Sequence, residues 1–169
     1  AAQLAALARL SGVQEIELAH TRTPACDLSR ATLGVATDPV TPSNWLGLTG
    51  DSVLVNVNDT GVDTNQPDLF GRVLFDAPIA GVDTNGHGTH VAGIIAGSGL
   101  SSTTVSNAPG SPMPAVDGQF RGVAPGASLF SMVSSQPDTY LQETAALTNA
   151  LISNNGWTYG NSDYDLAAA

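Results

Sequence analysis

Two segments carry the hydrophobic pattern of core β-strands. Val53–Val57 is rich in β-branched residues and runs directly into Asp59-Thr60-Gly61, and Ala127–Val133 is a second, mostly apolar run. Buried strands of parallel sheets are near-continuous apolar runs of about this length. The pattern therefore predicts two core strands, with Asp59 at the carboxyl end of the first.

Two further segments have the period of amphipathic helices. One begins near Gly86-His87 and places Val91, Ile94 and Ile95 on one side. The other extends from Thr139 to Ser153, after which Asn154-Asn155-Gly156 either ends the helix or opens a strand. Since strands and helices alternate along the chain, the pattern favours a parallel sheet covered by helices.

The other segments are less regular. Residues 1–11 are predicted to form a short helix, and Glu15–Leu18 alternates in the manner of a half-buried strand. Residues 98–119 are rich in Ser, Pro and Gly, which is typical of a surface insertion or a functional loop. The pentapeptide Gly-Val-Asp-Thr-Asn occurs at 61–65 and again at 81–85. Because the flanking residues differ, it indicates coincidence or shared loop chemistry rather than a repeat unit.

Composition narrows the classes of function. The chain has 169 residues, which fits one domain, and 42% are hydrophobic, enough to build a core. Its 15 acidic and 5 basic residues give a net charge of -10, with no lysine, so neither nucleic acid nor an anionic membrane is an expected partner. No apolar run approaches the roughly 18 residues of a membrane-spanning helix. The single Cys26 excludes an internal disulfide and a cysteine metal cluster.

Asp59 and His87 are the candidates for chemistry. Ligands bind at the carboxyl ends of parallel strands, where Asp59 is expected, although Asp-Thr-Gly is also ordinary turn chemistry. His87 is expected at a helix N-terminus, where the macrodipole disfavours the charged imidazolium. A buried carboxylate against its other ring nitrogen would restore that stability and fix the tautomer of a general base. Asp59 is the obvious carboxylate for this role.

A metal site around the histidines is the alternative interpretation. His87 and His90 are three residues apart with no glutamate between them, unlike the helix signature of zinc proteases. A hydrolase using Asp59, Asp63 and His87 around a metal is therefore a minor alternative. His90 is predicted to be a packed helix residue rather than a catalytic one.

Three motifs together carry a family resemblance. They are Asp59-Thr60-Gly61-Val62-Asp63 with Gln66-Pro67-Asp68-Leu69, then Asn85-Gly86-His87-Gly88-Thr89-His90-Val91-Ala92-Gly93, then Gly122-Val123-Ala124-Pro125. In this order they resemble the subtilisin-like serine proteases, most closely the secreted bacterial alkaline ones. The resemblance implies an incomplete subtilisin-like α/β domain with helices on both faces of a parallel sheet.

The resemblance also implies roles. Asp59 would be the acid and His87 the general base of a Ser-His-Asp triad in a serine endopeptidase. No Gly-Thr-Ser-Met-Ala-like segment and no Ala-Gly-Asn segment occurs, so the nucleophile and the oxyanion asparagine are lacking, and the 169 residues alone are expected to be inactive. A catalytically dead binding or regulatory module is the alternative.

Family likeness extends to substrate, partners and processing. Gly156 and Trp157 stand where the family has a strand that binds the substrate backbone, although a core or surface tryptophan is an equal alternative. Residues 1–19 resemble the tail of an inhibitory propeptide, 20–45 a linker, and 46–169 the N-terminal part of the peptidase domain. Secretion, a protein or peptide substrate and binding of its own propeptide follow from the family. The proposed chemistry requires no cofactor. Calcium-binding loops occur in relatives at the position of the insertion 98–119, where acidic residues such as Asp117 could bind a structural calcium.

The sequence departs from the family pattern in one strand, and the incomplete domain has a physical consequence. Asn56 and Asn58 place amides in a strand that is expected to be buried, so they need hydrogen-bond partners. An unfinished sheet would also leave an edge and apolar helix faces exposed. The isolated chain is therefore predicted to be poorly soluble or molten.

Overall fold

The computed structural model describes residues 33–35, 46, 48–104 and 117–157. The regular elements follow one another as strand β1 (Leu54–Asp59), strand β2 (Val73–Phe75), helix α1 (His87–Ala96), strand β3 (Ser128–Val133), helix α2 (Asp138–Leu147) and strand β4 (Ile152–Asn155). Short 3-10 turns occur at Pro67–Leu69, Pro78–Gly81 and Ser102–Thr104.

The four strands form one parallel sheet in the order β2-β3-β1-β4. β1 is an inner strand: Val55 pairs with Leu129 of β3 on one side and with Ile152 of β4 on the other. Because all strands run in the same direction, their carboxyl ends meet at one edge of the sheet. Asp59, the last residue of β1, lies at that edge in register with Val133.

One face of the sheet packs against α1. Val55 and Val57 of β1, Leu129 of β3, and Ala92 and Ala96 of α1 are all buried in one hydrophobic cluster. The alanines let the helix approach the sheet closely, since no longer side chain separates them. This packing fixes the position of the helix whose first residue is His87.

The opposite face of β1 carries the two asparagines and lies under α2. Asn58 Nδ2 donates to Ser153 Oγ at 3.1 Å and to Asn155 Oδ1 at 2.7 Å, and Asn56 Nδ2 donates to the carbonyl of Phe130 at 3.4 Å. Asn58 also lines a small cavity together with Leu141 of α2. The Nδ2 groups of both buried amides thus have the partners that burial requires, whereas Asn58 Oδ1 has none among the described residues. The predicted α/β parallel sheet with helices on both faces is confirmed.

The predicted second helix is too long. α2 ends at Leu147, and Ile152 and Ser153, which were predicted to be helical, belong to β4 and pair with β1. Asn149 has a φ of 57°, a left-handed conformation that stops the helix. The helical period of the sequence continues past Leu147 into β4. Local spacing cannot show that the edge of β1 offers backbone hydrogen bonds to these residues. Of the two outcomes for Asn154-Asn155-Gly156, the strand is the correct one.

β2 has no counterpart in the sequence predictions because three residues are too few to show a period. Its position follows from pairing with β3, where Val73 is in register with Leu129. The predicted helix at 1–11 and strand at Glu15–Leu18 lie outside the described residues. The assignments of 1–19, 20–45 and 46–169 as propeptide tail, linker and peptidase segment stay predictions. None of the described helices is long and apolar enough to cross a membrane.

Candidate active site

Asp59 is a buried carboxylate at the carboxyl edge of the sheet, with only 3% of its surface exposed. Its Oδ1 accepts a hydrogen bond from the backbone N–H of Thr60 at 2.7 Å and lies 2.7 Å from Nδ1 of His87. The carboxylate is held in place because it is buried and because β1, the strand that carries it, is hydrogen-bonded to β3 on one side and to β4 on the other. The 28 residues between Asp59 and His87 fold so that the two side chains meet.

His87 is the first residue of α1, and its side chain is 52% exposed. The N-terminal backbone N–H groups of this helix are all bonded. His87 N donates to Asn85 Oδ1, Gly88 N to Thr60 Oγ1, Thr89 N to Asp83 Oδ2, and His90 N to the carbonyl of Gly86. Unpaired donors at a helix start are a source of fraying, so this complete set holds the first turn in place.

Glycines allow the close approach of α1 to the end of β1. A Cβ added to Gly88 would overlap the carbonyl oxygen of Gly61 and lie 3.1 Å from Cβ of Asp59. Gly61 itself has a φ of 106°, and a Cβ there would lie 2.5 Å from the carbonyl oxygen of Val82. No other residue type fits at either position without moving the backbone. The small residues of the His87 motif therefore set the distance between imidazole and carboxylate.

The charges and hydrogen bonds around His87 affect both its pKa and its tautomer. The hydrogen bond to Asp59 and the charge of that carboxylate raise the pKa of His87. Desolvation opposes this rise, and the charge of Asp83 adds a smaller contribution to it. With an ionised Asp59 as acceptor, Nδ1 of neutral His87 must carry the proton, so Nε2 is the basic nitrogen. The arrangement can take up a proton on an exposed imidazole whose tautomer is fixed from the buried side.

The structure places Gly156 beside the pair. A Cβ added to Gly156 would overlap Asp59 Oδ2 and lie 3.5 Å from Cε1 of His87. Trp157 is half-buried and lines the cavity of about 130 Å³ that Asn58 and Leu141 also line. Of the two predicted substrate-binding residues, Gly156 lies against the candidate pair, and Trp157 is the next residue after it beyond strand β4. A role in substrate binding stays a prediction for both.

Sequence reasoning missed Asp83, Thr60 and Thr89, which surround the start of α1. Asp83 Oδ1 accepts from Thr60 Oγ1 at 2.9 Å, and Asp83 Oδ2 accepts from Thr89 Oγ1 at 2.7 Å. The available signal was the repeated pentapeptide, whose second copy ends two residues before His87. His90 differs from its prediction as a packed residue, because its side chain is exposed on the outer side of α1.

No cluster of three or more His, Cys, Asp or Glu side chains in the described ranges could hold a metal ion. Asp59 and His87 form a pair without a third such ligand there, which gives the metal alternative with Asp63 no support. Most of the loop 98–119, including 105–116, lies outside the described residues, so structural calcium stays a prediction.

Comparison with known proteins decides the family. The sequence model of the subtilase family (Peptidase_S8) matches residues 50–165, well over half of the chain. The chain belongs to the subtilase family. The matched region of this subtilase contains all of the elements β1 to β4 and both members of the Asp59–His87 pair.

Three of the curated relatives are bacterial proteases of greater length than this chain. The serine protease AprX of Bacillus subtilis is 41% identical over 94 residues, which cover 53% of this chain and 18% of AprX. Fervidolysin of Fervidobacterium pennivorans is 40% identical over 94 residues, covering 50% of this chain and 13% of that protein. The chain therefore spans less than a fifth of these first relatives. The major intracellular serine protease of Bacillus subtilis is 39% identical over 98 residues, covering 52% of this chain and 26% of that protein, so the similar proteins are not confined to secreted ones.

A solved structure with a similar arrangement is that of the MycP3 protease from the type VII (ESX-3) secretion system. It aligns with 87% of this chain and 41% of its own, at a TM-score of 0.49 and 22% sequence identity.

Proposed function

We propose that the protein containing these residues is a serine endopeptidase that cleaves protein or peptide substrates by acyl transfer. The observation that carries the proposal is the 2.7 Å contact between an almost fully buried carboxylate, Asp59, and a half-exposed imidazole, His87. A buried acid that orients an accessible base is the geometry of a nucleophile-activating pair. Membership of the subtilase family supports the reaction class.

In the proposed mechanism His87 acts as base and then as acid. Its Nε2 takes the proton from a nucleophilic serine as the serine attacks the peptide carbonyl, and later gives that proton to the leaving amine. Asp59 stays ionised, holds the proton on Nδ1 and stabilises the imidazolium formed in between. The serine and the oxyanion donors would come from parts of the protein that the 169 residues do not include. No cofactor is required for these steps.

Gly156 and Trp157 are proposed to contact the substrate. Gly156 follows β4, an outer strand of the sheet, and lies against both members of the pair. An extended peptide laid along this segment would have its reacting carbonyl close to the imidazole. The indole of Trp157 would then form one wall of a side-chain pocket. Trp157→Ala is expected to raise KM for peptides with a large side chain at that position more than it lowers kcat.

The decisive experiment uses the full-length protein. Cleavage of a peptide library and labelling by a fluorophosphonate probe should both occur in the wild type. Both should disappear in His87→Ala, while His90→Ala, which removes an exposed histidine one turn further along the same helix, should keep them. A full-length protein that folds but neither cleaves nor labels would contradict the proposal and favour a catalytically dead binding or regulatory module.

Secretion and a propeptide are proposed on family grounds. The lysine-free composition with a net charge of -10 is compatible with an extracellular enzyme and argues against nucleic-acid and membrane partners. Cell fractionation and N-terminal sequencing of the mature protein test both points. Recovery of the enzyme in the cytoplasm with residues 1–19 still attached would contradict them. Calcium is tested separately, by the effect of a chelator on thermal unfolding.

A further inference from the structure

The two copies of the repeated pentapeptide fold in the same way locally. Asn65 N donates to Asp63 Oδ1 at 2.9 Å in the first copy, and Asn85 N donates to Asp83 Oδ1 at 3.1 Å in the second. An aspartate that accepts from the backbone two residues later is a common loop-forming contact. Of the two interpretations of the repeat, shared loop chemistry is the one that the structure supports.

The two aspartates differ in what else they hold. The Asp63 carboxylate receives hydrogen bonds from Asn65 alone in the part of the chain that the structure describes. Asp83 receives four beyond the loop contact. Its Oδ1 accepts from Gly86 N at 2.8 Å and Thr60 Oγ1 at 2.9 Å, and its Oδ2 accepts from Thr89 N at 2.8 Å and Thr89 Oγ1 at 2.7 Å. Asp83 therefore ties the loop both to Thr60, the residue directly after β1, and to Thr89 of α1.

Thr60 connects Asp83 to the candidate pair. Its hydroxyl donates to Asp83 and accepts from Gly88 N at 2.9 Å, while its backbone N–H donates to Asp59 Oδ1 at 2.7 Å. A hydroxyl has a single proton, so its donation to Asp83 leaves the oxygen lone pairs for Gly88. Thr60 follows Asp59 in the chain and Gly88 follows His87. The hydrogen-bond chain thus joins the backbone neighbours of both members of the pair.

We propose that Asp83 is a positioning residue of the active site, whose carboxylate locks the first turn of α1 to the end of β1 and so holds the imidazole of His87 against Asp59. The catalytic role of Asp83 rests on the proposed function, whereas the hydrogen bonds that it makes do not depend on that function. Asparagine cannot substitute for Asp83, because both carboxylate oxygens accept from N–H donors. Whichever way an amide is turned, its NH₂ group faces one of those donors.

Charge supports the same assignment. Partial burial opposes ionisation of Asp83, but the hydrogen bonds from Thr89, Gly86 and Thr60 outweigh it and lower its pKa from 3.8 to about 2. Asp83 is therefore ionised wherever a histidine base can work. Its negative charge joins that of Asp59 in raising the pKa of His87. Removing the carboxylate should disturb both the position and the protonation of the imidazole.

The test compares Asp83→Asn with Asp63→Asn in the full-length protein. Each variant removes one negative charge from the same position of the same pentapeptide. An NMR titration with ¹³C-labelled histidine follows the His87 ring, whose signal is assigned by its loss in His87→Ala. The expected result is a lower pKa of His87 in Asp83→Asn and no change in Asp63→Asn. An equal pKa of His87 in wild type and both variants would overturn the proposal.

A second pair of variants covers the case in which Asp83→Asn does not fold. Thr60→Val removes the hydroxyl between Asp83 and Gly88 but leaves the bonds from Asp83 to α1, and Thr60→Ser keeps the hydroxyl. We expect kcat/KM to fall by about tenfold in Thr60→Val through kcat, and to be restored in Thr60→Ser. Equal rates in the two variants would count against the positioning role. The titration does not depend on peptide cleavage, so a shifted pKa in a protein without peptidase activity would refute the proposed function and leave the positioning role standing.

Discussion

Nδ1 of His87 and Oδ1 of Asp59 lie 2.7 Å apart, joining the start of a helix to the end of an inner strand. The carboxylate is buried and the imidazole is half exposed, so one partner is fixed while the other can reach a substrate. Because the contact crosses 28 residues of chain, it depends on how α1 packs on the sheet. The predictions below test this contact and the packing that produces it.

Asp59→Asn should keep the shape of the site but remove its charge. An amide that presents its NH₂ group to Nδ1 would favour the wrong tautomer of His87 and leave Nε2 protonated, and it would also lose the hydrogen bond that Oδ1 accepts from Thr60 N. Cleavage by the full-length protein should then fall by about four orders of magnitude in kcat. Steady-state kinetics on a peptide substrate measures it, with Asp63→Asn as the charge-matched control. A loss of less than tenfold would show that Asp59 does not orient the base.

The acid limb of the activity profile should report His87. The base must be neutral to accept a proton, and Asp59, with a smaller contribution from Asp83, raises the pKa of the imidazole. Activity should therefore appear at a higher pH than an ordinary histidine would allow, and kcat/KM should increase as the pH rises through the raised pKa. In Asp83→Asn the limb should move to lower pH. A limb that stays in place in this variant would disagree with the charge effect.

Asp83 should also affect stability in acid. Its pKa is about 2 in the folded protein against 3.8 ordinarily, so it binds a proton more readily when the chain is unfolded. Its stabilisation is present above pH 3.8 and is lost as the pH falls through about 2. Urea unfolding at a series of pH values should show a loss between pH 4 and 2 that is smaller in Asp83→Asn. Parallel curves for wild type and variant would contradict this.

Two glycines of α1 provide a matched pair for the packing. In Gly88→Ala the new Cβ would overlap the carbonyl oxygen of Gly61, whereas a Cβ at Gly93 meets nothing within 4 Å. Gly88→Ala should destabilise the fold by about 1–3 kcal/mol and reduce activity. Gly93→Ala should be neutral or should stabilise by about 0.5–1 kcal/mol through the better helix propensity of alanine. Denaturant unfolding distinguishes them, and equal effects would mean that α1 does not approach the sheet this closely.

The two edge strands should make the isolated 169-residue chain prone to aggregation. Leu74 of β2 and Ile152 of β4 are 57% and 54% exposed on the outer strands of the sheet. Exposed apolar edges pair readily with other chains, and a charge on the edge opposes this. Ile152→Lys should raise the soluble fraction, while Leu147→Lys, a similar change at the exposed end of α2, should raise it less. Light scattering after dilution from denaturant measures both, and a fully monomeric wild-type chain would refute the prediction.

Local sequence was sufficient to predict β1, β3 and the start of α1, because the hydrophobic pattern of each is long enough to indicate its secondary structure without its neighbours. It failed at Ile152 and Ser153, where a helical period continued into a strand. It also gave no indication of β2, whose three residues are ordered by pairing with β3. These errors share a cause: an outer strand is defined by the neighbour that supplies its hydrogen bonds, and that neighbour is distant in sequence.

The candidate site, like the fold, could be predicted only in part from the sequence. The sequence by itself determined that an aspartate ends a core strand, that a histidine begins a helix of small residues, and that the order of the motifs resembles a subtilisin-like protease. Only the tertiary structure decided that the carboxylate of Asp83, rather than that of the identical-looking Asp63, bonds to Thr60 after β1 and to Thr89 of α1. The physical reason is that both aspartates form the same contact within their own loop. What distinguishes them is a set of hydrogen bonds to residues that folding brings close, and no local pattern encodes that proximity.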